Sequence, residues 1–167
     1  MGQVTLAALN EMDEVHFTQA LGDIFEHTPA IAQKAWPQRP FATVEALHQA
    51  MVTVMQALPT EDQLRLIRAH PDLGTKAKMA DSSVQEQAGV GLDRLSPEEF
   101  ATFSELNQAY RDRFHFPFIV AVKEHTKTSI LAAFRQRLTH DAATERQTAL
   151  AEIAKIAGYR LGALVQD

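Results

Sequence analysis

SPEEFATFSELNQAYRDRF, residues Ser96–Phe114, decides the fold class. Phe100, Phe103, Leu106, Tyr110 and Phe114 recur at intervals of three and four, which lays one apolar stripe along a helix. Ser96 and Glu99 have the spacing of a capping box, and Pro97 occupies the favoured first helical position. The same period returns in Val44, Leu47, Met51, Val54, Met55 and Leu58, and again in Leu150, Ile153, Ala157, Leu161 and Leu164. Thr60 with Gln63 reads as a second capping box. Earlier helices are expected over 3–9, 11–26 and 29–35, punctuated by Pro29, Pro37 and Pro40, and another over Thr126–Leu138. No repeat or linker interrupts them. The expected fold is all-α: a single-domain multi-helix bundle over residues 1–167 with a short extended segment near 116–122.

Composition sets the outer limits. The chain has 167 residues, 46% of them hydrophobic and 22% charged, which describes an ordinary globular protein. A net charge of −5 argues against a general nucleic-acid binder, which needs a basic surplus to displace counterions. The absence of cysteine excludes disulfides, thiolate metal sites and thiol nucleophiles. The best apolar run, Phe118-Ile119-Val120-Ala121-Val122, is five residues against the ~20 of a membrane helix, so no membrane partner is expected. The first residues lack the pattern of a signal peptide, and a cytoplasmic location is the expectation. No His, Asp and Glu spacing reads as a metal site, and no phosphate loop or nucleophile elbow is present. Neither a metal nor another cofactor is expected.

Two segments depart from the helical stripes. In Ala69-His70-Pro71-Asp72-Leu73-Gly74, Pro71 disfavours helical geometry at His70, so a helix ends at a histidine and a polar loop follows. Around Phe116–Val122, Pro117 and the apolar run suit a short buried strand or an extended connector. Its main-chain N–H and C=O groups are not consumed by a helix, so they serve either a plain buried connector or the grip on a flat polar ligand.

The chemistry-bearing residues cluster beside these segments. Ser83-Val84-Gln85-Glu86-Gln87 has capping-box spacing from Ser83 to Glu86. It is either that alone, or a helix N-terminus whose N–H groups, with the Ser83 hydroxyl and the Gln87 amide, receive a carboxylate. Glu86 and Gln87 are adjacent and cannot cover the same helix face. His70 either caps carbonyls or, with Glu86 beside it, becomes an imidazolium acid suited to neutral pH. Arg160 lies on or beside the stripe of the last helix, where it either snorkels to solvent or forms a partly buried fork for a carboxylate or a urea-like oxygen.

These blocks together resemble the OHCU decarboxylase family, which acts on 2-oxo-4-hydroxy-4-carboxy-5-ureidoimidazoline in urate breakdown. The resemblance rests on His70–Gly74, on Ser83–Gln87 with Gly89 and Gly91-Leu92, on Leu106-Asn107 and Tyr110, and on Phe114-His115-Phe116-Pro117-Phe118. It continues through Trp36–Phe41 and Glu152–Ile156 with Arg160-Leu161. His115 stands where a glycine is common in that family. The resemblance implies an all-helical, cofactor-free decarboxylase, usually a homodimer, whose small-molecule substrate is the ureidoimidazoline and whose product is (S)-allantoin. It implies His70 as the acid and Glu86 as its partner at the substrate hydroxyl. It implies substrate contacts at Pro71, at Ser83, Val84, Gln85 and Gln87, at the backbone of Phe118, Ile119, Val120, Ala121 and Val122, and at Arg160. Two other readings remain open: a hydrolase of a related cyclic ureide, and a helical ligand-binding module without catalysis.

Overall fold

Short polar side chains set most of the helix starts. Thr5, Asp13 and Thr43 each accept a main-chain N–H three residues on, opening α1 (Leu6–Glu11), α2 (Glu14–Leu21) and α4 (Val44–Ala57). Between them lie α3 (Ala30–Ala35) and a 3-10 turn at Trp36–Gln38. The chain continues through α5 (Thr60–Arg68), α6 (Asp81–Gly89), α7 (Pro97–Phe114), α8 (Lys127–Arg137) and α9 (Ala142–Leu164). The computed structural model describes residues 3–74 and 81–167, without the side chains of 81–83. Among the described residues the remaining regular structure is a 3-10 turn at Val122–Glu124 and a parallel pair of two-residue strands, β1 (Val4–Thr5) and β2 (Val165–Gln166), in the register Val4 to Val165 and Thr5 to Gln166. The all-α expectation holds.

The chain forms two compact units. The first comprises the residues up to Leu66 together with Ala154–Asp167. Leu9, Phe17, Leu21, Phe25, Ile31, Leu47, Met51 and Met55 are fully buried in it, and Phe17 and Phe41 stack at 6.2 Å between ring centroids. These are the apolar faces that the period of three and four marks out.

The second unit is contiguous, Ile67–Ile153. Its core is aromatic. Tyr110 lies within 4.6–6.5 Å of the rings of Phe114, Phe116, Phe118 and Phe134, and Phe118 stacks on Phe134 at 3.8 Å. No helix among the described residues is long and apolar enough to cross a membrane.

Local differences from the sequence reading have identifiable causes. The helix expected over 11–26 covers only Glu14–Leu21, because Asp13 takes the His16 N–H and fixes the start there. The Ser96–Glu99 capping box forms as expected, whereas α5 starts at Thr60 itself, so Thr60 lies inside the helix rather than before it. The Pro59 carbonyl accepts the main-chain N–H groups of Asp62 and Gln63, while the Gln63 side chain donates to the Met55 and Gln56 carbonyls at 3.2 and 3.1 Å. It thereby satisfies carbonyls at the end of α4. Helix α6 starts at Asp81, two residues before Ser83, so Ser83 lies inside it and is not its cap. His115 ends α7 in the left-handed region at φ 63°, a conformation that glycine adopts at little cost.

Candidate active site

The turn after α5 is tied down at three successive residues. His70, only 6% exposed, donates its main-chain N–H to Ile67 O at 3.2 Å as the helix runs out before Pro71. Beyond the half-buried Pro71, both Asp72 carboxylate oxygens accept from Arg111 Nε, at 2.9 and 3.0 Å. The Leu73 carbonyl accepts from Asn107 Nδ2 at 2.9 Å, and the Gly74 N–H donates to Gln87 Oε1 at 3.0 Å. Gly74 has φ +71°, and a Cβ there would meet Leu95 Cδ1 at 2.7 Å. Glycine is required on both counts. The backbone that presents His70 is therefore fixed from α6 and α7.

Helix α6 settles which of its two candidates turns inward. Gln87 is buried, at 4% exposure, while Glu86 is half-buried and Val84 and Gln85 are exposed. The Ser83 side chain lies outside the described residues. Gln87 serves the protein itself through Gly74, and Glu86 precedes it directly on the same helix.

The segment 116–121 is an extended connector that leads into a 3-10 turn at Val122–Glu124. Phe118, Ile119, Val120, Ala121 and Val122 are all buried. Two of its peptides are clamped. The Ile119 carbonyl accepts from Arg137 Nη1 at 2.5 Å, and the Ala121 N–H donates to Glu152 Oε1 at 3.0 Å. Among the described residues no partner takes the Ile119 N–H or either main-chain group of Val120. Buried main-chain groups are nearly always satisfied, so the unpaired groups of Val120 mark a place where something polar is expected to bind.

Behind the connector, Glu145 is fully buried and accepts three donors: the Tyr110 hydroxyl at 2.5 Å, Arg137 Nε at 2.8 Å and His140 Nδ1 at 2.8 Å. Burial, and then the hydrogen bond to Glu145, push the Tyr110 phenol well above its ordinary value. None of Asn107, Arg137, Glu145 and Glu152 stands out as a site residue in the sequence. Arg137 in the last turn of α8 and Glu145 in the first turn of α9 sit where helix dipoles alone would place their charges.

Arg160 belongs to the first unit. It does not snorkel. Its side chain is 6% exposed, with Nη2 3.0 Å from the buried Glu26 carboxylate and Nη1 3.4 and 3.3 Å from the carbonyls of Asp23 and Ile24. It is the buried fork, and the carboxylate it holds is the protein's own.

The family model described as OHCU decarboxylase matches residues 10–162. The chain is 44% identical over 161 residues to a 2-oxo-4-hydroxy-4-carboxy-5-ureidoimidazoline decarboxylase of Halalkalicoccus jeotgali, covering 96% of this chain and 92% of that one. It is 45% identical over 163 residues to the uric acid degradation bifunctional protein PucL of Bacillus subtilis, covering 98% of this chain and 33% of the longer protein. Among solved structures, that of an (S)-allantoin synthase is similar with a TM-score of 0.77 at 30% identity, covering 97% of this chain and 54% of that one.

Proposed function

The chain belongs to the OHCU decarboxylase family, and we propose that it decarboxylates 2-oxo-4-hydroxy-4-carboxy-5-ureidoimidazoline to (S)-allantoin in urate degradation, with His70 as acid and Glu86 as its partner. One observation supports the pairing above the others. The Gly74–Gln87 hydrogen bond ties the turn that carries His70 to the helix that carries Glu86, one residue away from Glu86 along that helix.

The substrate supplies its own electron sink. Its carboxylate sits on a carbon that bears a hydroxyl, next to the carbon of a C=N bond. As the bond to carbon dioxide breaks, its electron pair forms a C=C bond, and the imine π electrons move onto nitrogen, which takes a proton. No external sink is required, and the reading is cofactor-free. The resulting enol becomes the product carbonyl when His70 protonates the carbon bearing the ureido group and the hydroxyl proton leaves toward Glu86. The protein's contribution is orientation and proton delivery to one face.

The remaining positions fall into place around that step. Main-chain groups of Phe118, Ile119, Val120, Ala121 and Val122 hold the ring and ureido atoms, and the unpaired Val120 groups support this. The family correspondence adds Pro71, the Ser83–Gln87 segment and Arg160 as substrate contacts. The homodimer and the cytoplasmic location that go with the family are part of the same proposal.

The test uses freshly generated substrate, with carbon dioxide release and circular dichroism of the product read together. The protein is expected to accelerate carbon dioxide release and to give one-handed product. His70→Asn is expected to keep the helical spectrum and lose about 100-fold or more of the rate. Normal turnover in that variant removes His70 from the acid role. Ring opening without carbon dioxide would make the protein a hydrolase instead.

A further inference from the structure

We propose that Arg137 is a positioning residue for this reaction, clamping the Ile119 carbonyl so that the Val120 N–H is aimed at the substrate. The inference rests on the proposed function, because it assigns the unpaired Val120 group to substrate.

The geometry follows from one peptide plane. Among the described residues only the Arg39–Pro40 bond is cis, so the Ile119–Val120 peptide is trans. In a trans peptide the C=O and N–H point to opposite edges of a rigid plane. Arg137 Nη1 holds the C=O edge at 2.5 Å, which directs the Val120 N–H away from Arg137. A hydrogen bond from a cation to the carbonyl also polarises the peptide and strengthens its N–H as a donor. One residue on, Glu152 holds the Ala121 N–H at 3.0 Å, so the next plane is pinned as well, and its free edge is the Val120 C=O. Val120 is thus left with a donor and an acceptor, each set by a clamp on the far edge of its peptide.

The guanidinium is itself held rigid. Glu145 fixes Nε at 2.8 Å, the ring of Phe118 lies 4.4 Å from the guanidinium carbon, and Arg137 is 6% exposed. An apolar residue would fill this space without desolvating a charge. What the arginine adds is an oriented donor at Ile119.

The test compares steady-state constants and thermal midpoints for the wild type and three variants. Arg137→Lys keeps the charge but loses the fork. Arg137→Met combined with Glu145→Gln removes the clamp without stranding a buried carboxylate. Tyr110→Phe weakens the same cluster through Glu145 and leaves the Ile119 carbonyl clamped. The double variant is expected to raise KM about tenfold and Arg137→Lys about threefold, with kcat little changed. Tyr110→Phe is expected to lower the thermal midpoint and leave KM within about twofold of wild type. Wild-type KM in either Arg137 variant overturns the proposal, as does an equal rise in KM in Tyr110→Phe. If the double variant does not fold, Arg137→Lys alone decides. Wild-type protein that releases no carbon dioxide removes the proposed function, whereas an active wild type with unresponsive Arg137 variants removes this inference alone.

Discussion

Gln87 Oε1 accepts the Gly74 N–H at 3.0 Å, and the bond is buried. The residue that turns inward on α6 is therefore spent on the His70 turn, while its neighbour Glu86 stays half-buried. Removing the acceptor tests how much that turn depends on α6. Gln87→Leu leaves the Gly74 N–H unsatisfied in an apolar setting and is expected to cost about 1–3 kcal/mol. Urea unfolding should show a lower midpoint at unchanged m-value, with turnover falling as His70 loses its fixed position.

His115 offers the opposite sign. It holds φ 63° at the end of α7, its side chain is exposed, and its carbonyl accepts from Arg68 Nε at 3.1 Å, a bond that any residue at this position retains. His115→Gly removes the Cβ penalty of the left-handed conformation. A gain of about 1 kcal/mol is expected from denaturant unfolding, with unchanged kinetic constants.

Tyr110 links stability to alkaline pH. Its folded value is raised above the ordinary 10.0, chiefly by burial and then by the hydrogen bond to Glu145. The stability it contributes is fully present below the unfolded value and is lost as pH rises toward the folded one. Tyr110→Phe is expected to cost about 1.5–3 kcal/mol at neutral pH. Above pH 10 the gap between variant and wild type should close by up to about 1.4 kcal/mol per pH unit, read from unfolding midpoints across that range.

Asp141 does the reverse on the acid side. Its carboxyl is held below the ordinary 3.8, first by the main-chain N–H of Thr144, which it accepts at 2.7 Å, and by the Thr144 side chain. A depressed carboxylate stabilises the fold above its unfolded value, and that contribution is lost as pH falls through the folded value. Asp141→Ala is expected to melt below wild type at pH 7 and to converge on it below pH 3.8.

The helical stripes were legible where burial and periodicity coincide: Phe103, Tyr110 and Phe114 are buried along α7 and Ser96 closes its capping box with Glu99, although Phe100 in the first turn of the same stripe is exposed. The connector was legible because Pro117 and five apolar residues leave a helix no polar face. Local caps were harder to read. Helix α6 begins two residues before Ser83, which spacing alone does not reveal, and Gln63 has a use 3.1–3.2 Å away at the end of α4. His70 and Arg160 could be singled out because each breaks a pattern. Arg137 and Glu145 break none, and only their long-range partners, Ile119 and Tyr110, give them meaning. The Glu26 partner of Arg160 lies on the far side of the sequence, where no spacing rule reaches.

The first unit draws its strand pair and part of its core from two segments separated by the whole of the second. On the ribosome, residues 67–153 emerge complete while β1 still waits for Val165 and Gln166. Glu26 likewise stays without its guanidinium until Arg160 is synthesised. Nascent chains stalled before Arg160 should carry a protease-sensitive amino-terminal portion, which becomes resistant only when the closing helix has been released.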